Sequence, residues 1–287
     1  MKPPRVLVLG GSGCLGTALV NEFKKQGNQV IATYRSESKN GLKNCIQFKV
    51  GDNIEALVLK AKADVIINCI VSKPKINSTK IISTLFTNSF FPKKLSKVAD
   101  KKNIRVIHVS TDSVFLGIKG LYTELSLPIP TSLYSVSKLL GEPKNSNSRT
   151  MRLSFVPANL KSAQTSNSML WLTQRNSNIP IYAYSNRLWN GLTDLVVAKL
   201  IASTVNNKYI FESMPSKIHL YTNQIISQYD LAILLSRIYS LSDSNIYAKT
   251  RLIKRDFSLA SKHLGFLQKL WESIGFENIP SIVDIVD

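Results

Sequence analysis

Tyr134 and Lys138 stand four positions apart in TSLYSVSKLLGE, and Thr111 lies upstream in HVSTDSVF. A phenol, a hydroxyl and an ammonium form a set suited to carbonyl chemistry. The phenol passes a proton to the oxygen, the hydroxyl hydrogen-bonds to the same oxygen, and the cation favours the phenolate left behind. Positions i and i+4 share a face of any helix, so the pair by itself reads equally well as a solvated polar stripe. The elements that position these residues have to choose between the two readings.

RVLVLG (5–10) is a continuous apolar run, as in a strand buried on both faces of a parallel sheet. CLGTALVNEFKKQG follows with helical periodicity and stops at Gly27. QVIATYR (29–35), IQFKVG (46–51), DVIINCI (64–70), RVIHVST (105–111) and TMRLSFV (150–156) read as further strands, with helices between them near 54–62, 77–101 and 134–142. This alternation predicts an α/β fold, a Rossmann-type doubly wound parallel sheet with right-handed crossovers, over residues 1–156. From 157 to 287 the alternation weakens. KSAQTSNS and QRNSNIP read as loops, LTDLVVAKLIASTV (192–205) and SQYDLAILLSRIYSL (227–241) as amphipathic helices, and KIHLY (217–221) as a short strand. The second part is expected to form a smaller substrate-binding lobe, with a ligand cleft between the two.

GGSGCLG joins the first strand to the first helix, with Gly10, Gly13 and Gly16 at regular spacing. Glycine there allows a tight turn and close approach of pyrophosphate to backbone N–H groups, including those of Cys14 and Leu15 at the helix start. In this context the loop predicts a dinucleotide site. No acid ends the second strand, and Arg35 follows it in ATYRSESK. NADP(H) is therefore preferred over NAD(H), which remains the alternative. Asp52, in KVGDN, is placed to border the adenine, although an ordinary turn aspartate reads the same. Asn68, at the end of DVIIN, completes the expected cofactor contacts. His108 alternates with core positions and reads as a packed histidine.

The chain of 287 residues is 44% hydrophobic and carries a formal charge of +19, which fits an ordinary globular protein with a basic surface. Lys and Arg are spread along its length, so no stripe or tail marks a nucleic-acid binder; a positive field that attracts an anionic ligand is the by-product. No apolar run is long enough to span a bilayer, and a soluble cytoplasmic protein is expected. Cys14, Cys45 and Cys69 lack CxxC spacing, so neither a disulfide framework nor a metal site is expected.

The glycine loop, DVIINC, HVSTDSVF, GLYTELSLPIPTSLYSVSKLLGE and RLSF together resemble the extended short-chain dehydrogenase/reductases, and most closely their dTDP-4-dehydrorhamnose reductase branch. The resemblance is dense over 5–156 and thinner beyond, where NRLWNGLTDLVVAKL is similar to that branch's substrate-lobe segment. It implies a reductase of a nucleotide-linked 4-dehydro-6-deoxy sugar in deoxysugar and polysaccharide biosynthesis. Tyr134 would then be the proton donor and Thr111 a hydrogen-bond donor to the C4 oxygen, with Ser110 the alternative for that contact. Lys138 would bind the nicotinamide ribose and depress the tyrosine pKa. A drop from about 10 to about 7 takes roughly 4 kcal/mol, about what a cation ~4 Å away supplies at an effective dielectric near 20. Asn88 in TLFTNSFFP would support the site. Arg187, Trp189 and Asn190 in SNRLWNG are the candidates for holding the sugar or its diphosphate.

RLSFVPANLK departs from the family's Trp-containing segment, keeping Arg152 and Ser154. No cysteine sits near the catalytic strand end, so reduction without epimerisation is expected. Asp112 is followed by Ser113 and not by a second acid, which disfavours dehydration. An epimerase or dehydratase, and a non-catalytic cofactor-binding regulatory subunit, are the other readings. Pairing of subunits through the 77–101 helix and the helix after Tyr134, a homodimer, is implied by the resemblance alone.

Overall fold

The computed structural model describes residues 2–35, 44–73, 78–158, 180–240, 243 and 245–286. KSAQTSNS, and all of QRNSNIP except Pro180, lie outside the described residues.

Seven strands form one parallel sheet in the order β3-β2-β1-β4-β5-β6-β11. They are β1 (Val6–Leu9), β2 (Val30–Tyr34), β3 (Cys45–Gln47), β4 (Val65–Asn68), β5 (Arg105–Thr111), β6 (Ser148–Leu153) and β11 (Lys217–His219). The order reverses between β1 and β4, and the crevice at the carboxyl ends there is where such sheets take ligands. Side chains alternate across the sheet. Val6 and Val8 join the apolar layer formed with α1 (Cys14–Lys25) and the late helix α6 (Asp194–Asn206). Leu7 and Leu9 enter the opposite layer with α2 (Ile54–Ala61) and α4 (Phe91–Lys101). Both faces are covered, which is why β1 is apolar throughout.

The expected 77–101 helix has a wider turn in its middle. α3 (Ser78–Leu85) runs into a five-residue π turn, Phe86–Phe90, before α4 continues. α5 (Leu133–Gly141) carries Tyr134 and Lys138 as the sequence predicts.

The expected division at 156/157 does not coincide with the edge of the sheet. After β6 the chain leaves, makes α6 against α1 and the short α7 (Lys208–Ser213), then returns as β11 beside β6, with Ile218 opposite Met151. KIHLY thus completes the large sheet and not the small lobe. The small lobe holds β7 (Phe155–Val156) paired with β10 (Leu192–Thr193), β9 (Arg187–Trp189) between β12 (Ile226–Ser227) and β14 (Arg255–Asp256), and β8 (Ile181–Tyr184) beside β13 (Ile246–Lys249) under α8 (Gln228–Ile238).

Two histidines are locked inside as neutral rings. His108 shares a 3.1 Å hydrogen bond with Asn68, and His219 contacts the Tyr122 and Ala260 carbonyls; the Nε2 atoms of both rings lack partners. Burial holds both rings below the usual histidine pKa, and Lys138 adds to this at His108. A group depressed in the folded state gives stability that is full above its unfolded pKa and is lost as pH falls. The melting temperature is therefore expected to fall as pH drops below about 6.5. An unchanged melting temperature between neutral pH and about pH 5 would contradict the neutral-histidine assignment.

Candidate active site

The glycine loop is packed so closely that side chains are excluded. Gly10 has φ +82°, and a Cβ at Gly16 would lie 2.1 Å from the Gly10 carbonyl oxygen. At Gly11 it would lie 2.6 Å from Ala32 Cβ. Gly13 caps α1 without a side-chain hydrogen bond, and no acid occupies the first turn. The N–H groups at the start of α1 thus meet no side-chain acceptor from the cap, and the cradle and its donor set fit a dinucleotide pyrophosphate. Arg35 is exposed just past β2.

α5 is placed by its caps and its neighbours. Ser132 and Ser135 cap one another reciprocally at its start. Asn88, buried in the π turn, accepts from Ser72 N–H at 2.8 Å and donates to Ser137 Oγ at 2.9 Å and to the Ser72 carbonyl at 2.8 Å. Gly141 lets the two helices touch, since a Cβ there would lie 1.8 Å from the Asn88 carbonyl oxygen. Gly141→Ala is expected to cost roughly 2–3 kcal/mol, an overpacking penalty against backbone that cannot yield. Urea denaturation measures this, and an unchanged midpoint would show that the helices separate freely.

Thr111 ends β5, close enough to Tyr134 for its hydroxyl to lower the phenol pKa. Thr111 also donates to Asp112 Oδ1 at 3.1 Å, and Ser113 does so at 3.2 Å. Asp112 is buried, and the Ser154 hydroxyl and Arg187 lie close enough to act on its carboxylate. Burial raises its carboxyl pKa, against the lowering by those hydroxyls and Arg187. The expectation of a depressed tyrosine is overturned: burial and the Asp112 charge push Tyr134 up to about 12. The reason is geometric. Lys138 Nζ donates to the Val109 carbonyl at 2.6 Å and does not contribute to the Tyr134 shift. Burial lowers Lys138 itself to about 8. The phenol therefore keeps its proton at neutral pH, as a general acid requires.

Several expected site residues are occupied elsewhere. Ser110 faces away from Thr111, as neighbours on a strand do, and donates to Glu142 at 2.8 Å. Asn190 is buried, with its amide donating to the Thr222 and Leu259 carbonyls and accepting from Leu259 N–H. Neither side chain is free for substrate. Asn68 is also enclosed, between His108 and the Ile70 N–H, so its side chain braces the end of β4. The Asp52 carboxylate accepts the Lys49 N–H at 2.7 Å in a turn, the structural reading of that residue. Cys14 Sγ donates to Asp194 at 3.0 Å, so its side chain is engaged. Trp189 Nε1 donates to Ser154 at 2.6 Å. Arg187 lies over the Phe257 ring and is close enough to Asp112 to feel its charge.

Asp112 and Glu142 are the residues that spacing did not single out. Asp112 entered the sequence analysis only as half of an absent acid pair, and no local pattern marks Glu142. Among the described residues no group of three acidic, histidine or cysteine side chains is placed to hold a metal, and no helix is long and apolar enough to cross a membrane.

The RmlD substrate binding domain family matches residues 4–251. The chain belongs to this family. It is 33% identical over 158 residues to a probable low-salt glycan biosynthesis reductase, Agl14, of Haloferax volcanii, a match covering 52% of each chain. It is 32% identical over 139 residues to methionine adenosyltransferase 2 subunit beta of Xenopus laevis, covering 48% of this chain and 41% of that one. The chain thus spans about half the length of these curated relatives. The fold is shared with a dTDP-4-dehydrorhamnose reductase of Bacillus anthracis solved in complex with NADP, at TM-score 0.76 and 15% identity, covering 99% of this chain and 97% of that one.

Proposed function

We propose that this family member is an NADP(H)-dependent reductase of a nucleotide-linked 4-dehydro-6-deoxy sugar. The observation that carries the reading is the Tyr134 phenol beside Thr111 at a strand end of the sheet whose first loop is the glycine cradle. Gly10, Gly13, Gly16 and the N–H groups of Cys14 and Leu15 would hold the pyrophosphate, with Arg35 near a 2′-phosphate. The bound nicotinamide supplies hydride.

The protein's own residues handle the proton. A substrate oxygen seated between Thr111 and Tyr134 receives the Tyr134 proton, while Thr111 holds the oxygen in place. Desolvation and Asp112 keep that proton on the phenol beforehand and make it a weaker acid, so its release needs a cation brought close. Lys138, freed from the Val109 carbonyl, is the cation available to the ribose and to the phenolate left behind. Production of a deoxysugar for a surface glycan, in a cytoplasmic setting, follows from this reading.

NADPH consumption with dTDP-4-keto-6-deoxy sugars, prepared by a dehydratase with and without an epimerase, tests the proposal. Turnover is expected with one stereoisomer. Tight NADPH binding without turnover on any of them would refute it. That result would favour a cofactor-binding regulatory subunit, the reading supported by the relationship to methionine adenosyltransferase 2 subunit beta.

A further inference from the structure

Two adjoining surface loops carry an arrangement that the reductase chemistry does not use. Residues 116–122 (LGIKGLY) follow β5 and its closing turn, and residues 250–254 (TRLIK) join β13 to β14. The two are fastened together. Asp256 N–H donates to the Gly117 carbonyl at 2.8 Å, and Arg255 Nη1 donates to the Leu116 carbonyl at 3.1 Å. Glycine permits the contact, since a Cβ at Gly117 would lie 2.3 Å from the Phe257 ring and one at Gly120 2.4 Å from the Asp256 carboxyl carbon. Arg251 is held at the far end, where its N–H donates to Asn186 Oδ1 at 3.0 Å and its carbonyl accepts from Asn186 Nδ2 at 2.8 Å.

This braced pair of loops presents large aliphatic side chains to solvent. Ile118 is 53% exposed, Leu121 58% and Ile253 60%, and Leu252 is fully exposed. One exposed leucine needs no explanation, but four such side chains on two joined loops form a patch that marks an interaction surface. Leu121 is kept there at a conformational cost. Its φ of +47° is a left-handed backbone that leucine rarely adopts, and the turn is fixed by Leu121 N–H to Ser258 Oγ at 2.8 Å and Tyr122 N–H to the Ser258 carbonyl at 3.0 Å. Strain of this kind collects at functional sites.

Cations are interleaved with the aliphatics. Lys119 lies between Ile118 and Leu121 in the chain, and Arg251 and Lys254 flank Leu252 and Ile253; all three are exposed. Lys254 lies 3.8 Å from Asp256, the one acid within 116–122 and 250–256. Among the described residues, neither Lys119 nor Arg251 has a carboxylate within ion-pair distance. Exposed aliphatics set among cations, on a chain of formal charge +19, complement a surface that is negative outside and apolar just beneath. A second copy of the chain fits worse. A two-fold contact lays the patch against itself and brings Lys119, Arg251 and Lys254 toward their own images.

We propose that these two loops dock the protein on an anionic lipid surface, with Ile118, Leu121, Leu252 and Ile253 entering the acyl boundary and Lys119, Arg251 and Lys254 meeting the headgroup phosphates. Because the loops are already braced, docking costs little ordering. The proposal goes beyond the reductase reading and stands or falls separately from it.

Co-sedimentation of the full chain with vesicles of phosphatidylcholine and phosphatidylglycerol, compared with vesicles of phosphatidylcholine alone, is the test. Binding to the mixed vesicles is expected to be at least about tenfold tighter than to the neutral ones and to weaken with added salt. Leu252→Ser combined with Ile253→Ser should weaken it by about tenfold or more, and Lys119→Ser by about fivefold, with the melting temperature unchanged. Lys97→Ser, on α4 and outside both loops, removes the same charge and should change binding by less than about twofold. Equal losses in Lys97→Ser and Lys119→Ser would show that the charge of the whole chain, not the patch, draws the protein to lipid, and would overturn the proposal. Failure to sediment with the mixed vesicles, or an affinity untouched by the paired serine substitutions, would do the same. A solution dimer that those substitutions dissolve, without vesicle binding, would reassign the face to a second copy.

Discussion

Tyr134→Phe is expected to lower turnover by a factor of roughly 10²–10⁴ while leaving NADPH affinity unchanged. The substitution removes one hydroxyl and keeps the ring that packs at the start of α5. Without it, hydride delivery would leave an alkoxide held only by Thr111, with no proton at hand. Thr111→Val should do less, because it removes a hydrogen bond and leaves the acid in place. Steady-state NADPH consumption together with cofactor titration separates the two effects. Turnover in Tyr134→Phe within about threefold of the unmodified chain would eliminate the phenol as the general acid.

Glu142→Ala is expected to destabilise the fold by roughly 3–5 kcal/mol. Glu142 follows Gly141 at the end of α5, and its carboxylate joins four elements. It accepts from Ser110 on β5 at 2.8 Å and from the Arg152 fork on β6 at 2.7 and 2.8 Å, and it pairs with Lys217 on β11 at 3.2 Å. Burial pushes this carboxyl pKa up, but Arg152, Lys217 and Ser110 outweigh that and hold it below the ordinary value. Arg152 is 0% exposed, and Nη1 already lacks a partner. Removing the carboxylate leaves a fully enclosed guanidinium with no counter-charge, a severe loss for a domain stable by about 5–15 kcal/mol. Replacing Glu142 and Arg152 together with apolar residues of similar volume should cost less than the single change. Urea titrations of the single and double variants decide the matter. A single-variant cost below about 1 kcal/mol would mean that water reaches Arg152.

The sheet was legible because its strands announce themselves as apolar runs. β1, β2, β4 and β5 fall where those runs predict, and α2 and α5 within a residue or two of their expected limits. The site was legible to the extent that it follows from local spacing: the glycine cradle, Thr111 at a strand end, and Tyr134 with Lys138 on one helix. What escaped depends on partners distant in the chain. Asn190 looks available in SNRLWNG and is enclosed because Thr222 and Leu259 come to it. Ser110 looks interchangeable with Thr111 until the pleat turns it toward Glu142. The direction of the Tyr134 shift was misread for a related reason. Spacing places an ammonium near a phenol but does not say that the Val109 carbonyl binds it, or that Asp112 lies beside the ring.

The late return of β11 bears on how the chain is made. Translation delivers β6 long before Lys217–His219 can close its edge, and α1 long before α6 can cover its apolar face. A nascent chain that has completed all six early strands still presents Leu15, Leu19 and Phe23 without Val197, Leu200 and Ile201. It is then a sticky intermediate of the kind that chaperones retain. The glycine loop settles late, because Asp194, the partner of Cys14, is synthesised 180 residues after it.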